Sequence, residues 1–221
     1  MIHGLTFKEY IEEEKQKLSE MDKAEKKSYF KEYYLKTCIV ALICLALFMW
    51  FLVEMLLSFR HAIVTGGVIG AQINLEGEKY LSDDYMEYLG KSGLFNKVNF
   101  APYIILDEND PSTVMALEAE IATNSYNYLI TTEKGLQFIT QMECLADLDE
   151  TLDSKLKEKL SDRFVYRKLG DSGEEKAAAI DITDTAFAKE YLLAGENIYF
   201  ILTGKTEEYE KGMDVLRYMF R

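Results

Sequence analysis

From Thr37 to Phe59 the chain runs for 23 residues with a single ionisable side chain, Glu54, inside an otherwise charged sequence. At 1.5 Å per residue, a helix of this length covers the roughly 30 Å of hydrocarbon in a bilayer. A secretory signal would instead show a short basic start, an apolar core of about 7 to 15 residues and a small-residue cleavage site. Here a long charged segment comes first, the apolar run is longer, and it ends in Leu56, Leu57, Ser58, Phe59 and Arg60. The segment therefore reads as an uncleaved transmembrane anchor. It divides the chain into residues 1–36, the span 37–59, and a C-terminal domain, residues 60–221.

Positive charge near a span is retained on the cytoplasmic side. Lys23, Lys26, Lys27, Lys31 and Lys36 precede the run, whereas Arg60 alone carries positive charge in the fifteen residues after it. The expected topology is single-pass in the cell membrane, with a cytoplasmic N-terminus and an extracellular C-terminal domain. Trp50 is too deep to act as an interface anchor. Glu54 is near enough to the outer end to snorkel or to be protonated, or to meet a partner helix.

Charge narrows the function classes. Residues 1–36 carry eight Lys against eight Asp or Glu, while residues 60–221 carry 17 basic and 29 acidic side chains, a net of −12. Such a domain repels phosphate backbones, which excludes nucleic acid as an expected partner. Cys38 and Cys44 lie in the span and only Cys144 lies beyond it, so no disulfide can staple the outer domain. That usage suits a bacterial surface. Cys38 is placed for acylation or is simply a small apolar residue of a lipid-facing helix; Cys44 lacks the small residues that precede a lipobox cysteine.

Before the span, Phe7, Tyr10, Ile11 and Leu18 recur at helical spacing. Asp22 with Glu25 three residues on is a capping-box pattern, which predicts a second helix continuing into the membrane. Tyr29, Phe30, Tyr33 and Tyr34 form an aromatic cluster that fits either an interfacial belt or a docking helix. After Arg60 the pattern alternates. Strands are expected at Gly67–Ile73, Val98–Leu106, Tyr126–Thr131 and Ile198–Leu202. Helices are expected at Asp83–Leu89, Ser112–Thr123, Glu133–Gln141, Ser154–Ser161, Asp184–Ala194 and Glu207–Phe220, with Asp184 as a cap and Gly195 as a stop. The residues around Gly170 read as two extended pieces joined by a turn. The fold class implied is α/β, a three-layer mixed sheet with helices on both faces.

Two fragments imitate catalytic motifs. Gly90-Lys91-Ser92 echoes the end of a P-loop, but the leading glycine position holds Tyr85. Gly170-Asp171-Ser172-Gly173 echoes a serine-protease nucleophile segment, yet the chain has only His3 and His61 to serve as base. Asp107-Glu108-Asn109-Asp110 lacks the spacing and glycine of a calcium loop and reads as a turn before a helix. Gly66, Gly67 and Gly70 have no dinucleotide-type helix after them and belong to the first strand or a stalk. No catalytic, metal or cofactor site is expected. The generic site of an α/β sheet is the crevice beyond the carboxyl ends of its strands, which here nominates Asn74, Thr131 and Thr132 as ligand-binding candidates.

The stretches VIGAQINLEGEKYLSDDYMEYL, APYIILDENDPSTVMALEAEIATNSYNYLITTEKGLQFITQMECLADLDETLD, IDITDTAFAKEY and NIYFILTGKTEEYEKGMDVLRYMF resemble membrane-anchored relatives of type 2 periplasmic, or extracellular solute, binding proteins. The resemblance covers nearly all of residues 60–221 and corresponds to about one lobe of a fold that clamps its solute between two. It implies a non-catalytic binding module, accessory to a transporter or sensor. Expected partners are the lipid bilayer, a membrane protein met through the cytoplasmic or transmembrane helix, and a small solute. The alternative is a structural or protein-interaction membrane protein whose cleft is degenerate.

Overall fold

The computed structural model describes residues 6–93, 95–107, 109–123, 126–142, 144–169, 175–193, 195–203 and 209–221. The chain forms two compact units, Met1–Phe59 and Arg60–Arg221.

In the first unit, α1 (Phe7–Glu20) begins at Thr6, whose side chain forms a reciprocal capping box with Glu9. Asp22 caps α2 (Lys23–Tyr29) by accepting from the amides of Ala24 and Glu25, as the sequence pattern implies. A π-helical turn at Phe30–Tyr34 joins α2 to α3 (Leu35–Ser58). The result is one continuous helix, Lys23–Ser58, long and apolar enough to cross a membrane, with none of its most apolar stretch buried by protein. The tyrosine cluster has an internal role that the belt and docking readings omit. The hydroxyls of Tyr29 and Tyr34 both donate to the Glu14 carboxylate, tying α1 back along the long helix. The Tyr34 bond is the main cause holding that carboxyl below its usual range.

The second unit is a mixed six-stranded sheet with helices on both faces. Its main strands are β1 (His61–Ile69), β3 (Asn96–Ile104), β4 (Tyr128–Thr132), β5 (Phe164–Lys168), β6 (Glu175–Asp181) and β8 (Ile198–Leu202). Their spatial order is β3-β1-β4-β8-β6-β5. The β3, β1 and β4 trio is parallel, and β8 pairs antiparallel to β4 along all five residues. β6 runs antiparallel to both β8 and β5. A separate two-residue ladder joins β2 (Gln72–Ile73) to β7 (Leu192–Leu193).

Side chains alternate across the sheet, as the strand period of two requires. Tyr128, Ile130, Phe200 and Leu202 enter one core layer, built with Leu81, Tyr85, Leu156, Leu160, Val215 and Leu216. Leu129, Tyr199 and Ile201 enter the other, with Leu117, Ile121, Leu136 and Ile139. The first layer is covered by α4 (Leu75–Lys79), α5 (Tyr85–Tyr88), α9 (Ser154–Leu160), α10 (Ala186–Tyr191) and α11 (Tyr209–Met219). The second is covered by α6 (Pro111–Ala122) and α7 (Glu133–Ile139). One further short helix, α8 (Leu148–Thr151), precedes α9.

Several boundaries differ from the sequence reading for identifiable reasons. β1 starts at His61, not Gly67, so Gly66 and Gly67 lie inside the strand rather than in a stalk. A Cβ on Gly66 would fall 2.2 Å from the ring of buried Tyr128, so the glycine is required by the neighbouring strand. The first crossover helix begins at Leu75 because Asn74 caps it, and a π turn at Tyr80–Asp84 carries it to α5. Thr185, not Asp184, caps α10. That helix stops at Tyr191 without using Gly195, because Leu192 turns extended to pair with β2. Gly90, at φ +64°, ends α5, which accounts for the P-loop echo as a helix stop. β5 and β6 confirm the two extended pieces, while Gly170-Asp171-Ser172-Gly173 lies outside the described residues.

Gly66→Ala is expected to lower the unfolding free energy by about 1–3 kcal/mol through overpacking against Tyr128. Chemical denaturation of both proteins measures it, and an unchanged midpoint would contradict the packing described.

Candidate functional site

Adjacent parallel strands β1 and β4 send the chain in opposite directions, β1 through α4 and α5 toward β3, and β4 into α7. The gap beyond their carboxyl ends is therefore the topological switch point, the usual ligand crevice of an open α/β sheet. Ile69 is in register with Thr131 there, and Gly70 follows at φ +74°, a left-handed conformation that glycine adopts without steric cost.

All three nominated residues are at this end, and none presents a free polar group to a solute. Thr131 and Thr132 are 0% and 2% exposed. The Thr131 Oγ1 occupies the space above Gly135 of α7, where an added Cβ would lie 2.1 Å away. The Thr132 Oγ1 sits against Gly70, 2.7 Å from an equivalent Cβ. Asn74 does not face the threonines through its hydrogen bonds. Its Oδ1 accepts from the Gly77 amide at 2.8 Å, and its Nδ2 donates to the Glu190 carbonyl at 3.0 Å. The side chain is thus spent on capping α4 and fastening it to α10.

The β2–β7 ladder follows the end of β1. Gln72 pairs with Leu193 and Ile73 with Leu192, and the Asn74 amide donates to the Tyr191 carbonyl at 2.9 Å. Tyr80 lies against Phe187 and Tyr191 with ring centroids 5.6 and 5.4 Å apart, which seats α10 on the crossover helix. Ala71 and Ile198 beneath are 3% and 4% exposed. The three nominated side chains are thus engaged by the chain itself.

Beside it lies a polar group that the sequence reading missed. Glu133, the first residue of α7, accepts two bonds from the Arg167 Nη2, at 2.8 and 3.0 Å. The Tyr199 hydroxyl also donates to Glu133, and it is the leading cause, ahead of Arg167, of a carboxyl pKa held below its ordinary value. Asn197 Nδ2 contacts that hydroxyl at 3.4 Å, and Arg167 Nη1 donates to the Tyr166 carbonyl at 3.0 Å. The members come from α7, β5 and β8, so no local spacing announces them. With its carboxylate neutralised and its guanidinium engaged, the cluster ties the edge of the sheet to the start of α7.

The remaining expectations fall on surface turns and buried sites. Asp110 caps α6 by accepting from the Ser112 amide and hydroxyl, and Asp107 accepts from the Asn109 amide, so this acidic stretch serves a turn and a cap; Glu108 lies outside the described residues. Among the described residues no group of three or more His, Cys, Asp or Glu side chains is arranged to hold a metal ion. A shallow cavity of about 470 Å³ flanks β3, lined by Asn99, Phe100, Glu120 and Tyr126, and the Tyr126 hydroxyl donates to Glu120 at 2.6 Å. The chain matches no protein-family model, no curated protein and no solved structure.

Because the Glu133 pKa is depressed, the cluster stabilises the fold fully above the ordinary carboxylate range and loses that contribution as pH falls through the lowered value. Glu133→Gln should be less stable than the parent at neutral pH, by roughly 0.2–1 kcal/mol for a half-exposed pair. Thermal unfolding of both proteins from pH 7 to pH 3 should show the gap closing toward the acid end. A gap that widens on acidification would overturn the assignment.

Proposed function

We propose that this chain is a single-span membrane protein with a cytoplasmic N-terminal segment and an extracytoplasmic, non-catalytic α/β module. In this reading the module resembles one lobe of a type 2 periplasmic solute-binding protein and acts through protein contacts, as an accessory to a transporter or sensor. The observation that carries the choice of protein contacts over solute capture is the state of the nominated residues: Thr131 and Thr132 are buried and Asn74 is spent on backbone partners. The size of the unit, Arg60–Arg221, supports a single lobe, which offers a solute one wall rather than two. The apolar helix supports the membrane placement, and the lysines that precede it support the orientation.

Solute binding is the second reading, favoured by one feature. The β2–β7 ladder is only two residue pairs long and Leu193 is 67% exposed, so it is the least costly element of the module to open.

The full chain in detergent, heated against a panel of sugars, amino acids, peptides and calcium, separates the two. A solute at a hundredfold excess over its dissociation constant adds about 2.7 kcal/mol of stability. The expected outcome is an unfolding transition that no member of the panel moves, together with copurification of a membrane protein that is lost when residues 1–35 are removed. A dose-dependent upward shift with one solute class overturns the protein-contact reading.

Topology has its own test. Burial pushes the Cys144 thiol up to about 11, so it is expected to resist an impermeant maleimide at neutral pH on either side of the membrane. Glu196→Cys places a thiol on an exposed residue instead. Labelling of that variant in intact cells, with the parent protein as blank, is the expected result; labelling only after lysis reverses the orientation.

A further inference from the structure

The α/β unit carries a net charge of −12, yet its acidic side chains are absent from two segments. Residues 55–75 and 88–106 contain no Asp or Glu at all, and they hold Arg60, Lys91 and Lys97. These segments include the whole of β1 and β3, whose starting ends are side by side: His61 pairs with Asn96 and Ala62 with Lys97, and the His61 amide donates to the Phe95 carbonyl at 2.7 Å. Phe95 is 62% exposed and Tyr88 50% exposed at the same end. A hollow of about 350 Å³ opens beside Ile63, with Lys91 and Lys211 on its rim together with Asn96 and Asp214. The Asn96 side chain donates to the Lys91 carbonyl, fixing that loop, and Asp214 is already paired with Arg217 at 2.6 Å. The hollow thus presents two lysines beside one carboxylate, which shares Arg217 with Asp153 and Glu210.

Covalent connection decides which surface this end can reach. Only Phe59 and Arg60 separate Ser58, the last residue of the apolar helix, from His61, so the start of β1 is tethered within about 11 Å of the helix end. Two exposed aromatic rings, a cluster of lysines and two adjoining segments without carboxylates suit an anionic lipid surface, where each lysine near the headgroups is attracted and each carboxylate repelled.

We infer that the β1–β3 starting end of the α/β unit docks on the headgroups of anionic phospholipids, with Phe95 and Tyr88 at the interface and a lipid phosphate held in the hollow between Lys91 and Lys211. This rests on the membrane reading of the apolar helix.

The test uses the full chain in nanodiscs of phosphatidylglycerol or of phosphatidylcholine, read by hydrogen exchange. Amides of residues 88–97 are expected to exchange at least about threefold more slowly in the anionic discs, the difference disappearing at high salt, where surface charge is screened. The triple variant K91E/K97E/K211E should lose the difference while keeping the parent's exchange in β4 and β8, which reports that it is folded. As a second readout, Phe95→Trp in a Trp50→Phe background should be quenched by headgroup-proximal brominated lipid in anionic discs only. Equal exchange in both lipids overturns the inference, and so does equal slowing by inorganic phosphate in neutral discs, which would make the hollow a soluble-anion site. Failure of the chain to co-elute with discs of either lipid overturns the membrane reading itself, and the inference with it.

Discussion

Strand β4 is buried at every one of its five residues, and the remainder of the α/β unit is arranged to keep its backbone satisfied. A desolvated peptide group without a partner costs as much as a lost hydrogen bond, so a strand buried on both faces needs a neighbour on each edge. β1 supplies one edge in parallel and β8 the other in antiparallel. The start of β4 is fastened separately by Asn127, itself 5% exposed, whose side-chain carbonyl accepts from the Thr65 amide and whose backbone carbonyl accepts from Thr203. The buried hydroxyl of Thr203 donates to Tyr126. Polar residues at the centre of the sheet are thereby consumed as structure, leaving little at the strand ends for a ligand.

The same economy explains the crevice. Thr131 and Thr132 occupy the place where an open α/β sheet receives a ligand, but their hydroxyls are packed against Gly135 and Gly70. Charge is unevenly distributed over the unit: 29 acidic side chains fall in 162 residues, while β1, β3 and the loop entering β3 carry none.

Much of this architecture was legible in local pattern. Ile198–Leu202 is a continuous apolar run and forms β8 over those residues, because a central strand is apolar on both faces and needs no alternation. Pro111 opens α6 and Asp22 caps α2, since a proline at a first helical position and an acceptor before free amides act within one turn of chain. The start of β1 was not legible. Gly66 and Gly67 look like strand breakers until the Tyr128 ring, more than sixty residues away, is seen to fill the space above Gly66, and Ile104 and Ala101 of β3 the space above Gly67. The Glu133, Arg167 and Tyr199 group was hidden for the same reason, each member being ordinary in its own segment. The β2–β7 ladder was equally hidden, because a two-residue strand such as Leu192–Leu193 has no periodicity to detect and exists only through its partner.

The sequence by itself determined the apolar span, the charge asymmetry across it, the alternation of strands and helices, and the caps that start several helices. Each of these follows from composition or from hydrogen bonds made within a few residues, and in hydrocarbon a helix satisfies all its backbone groups without help from elsewhere. Tertiary structure alone decided the order of the strands, the burial of Thr131 and Thr132, the diversion of Asn74 to Glu190, and the gathering of lysines from β3, its entering loop and α11 at one end. Those outcomes depend on which distant surfaces exclude water from one another, and contact between residues far apart in the chain leaves no mark in local pattern.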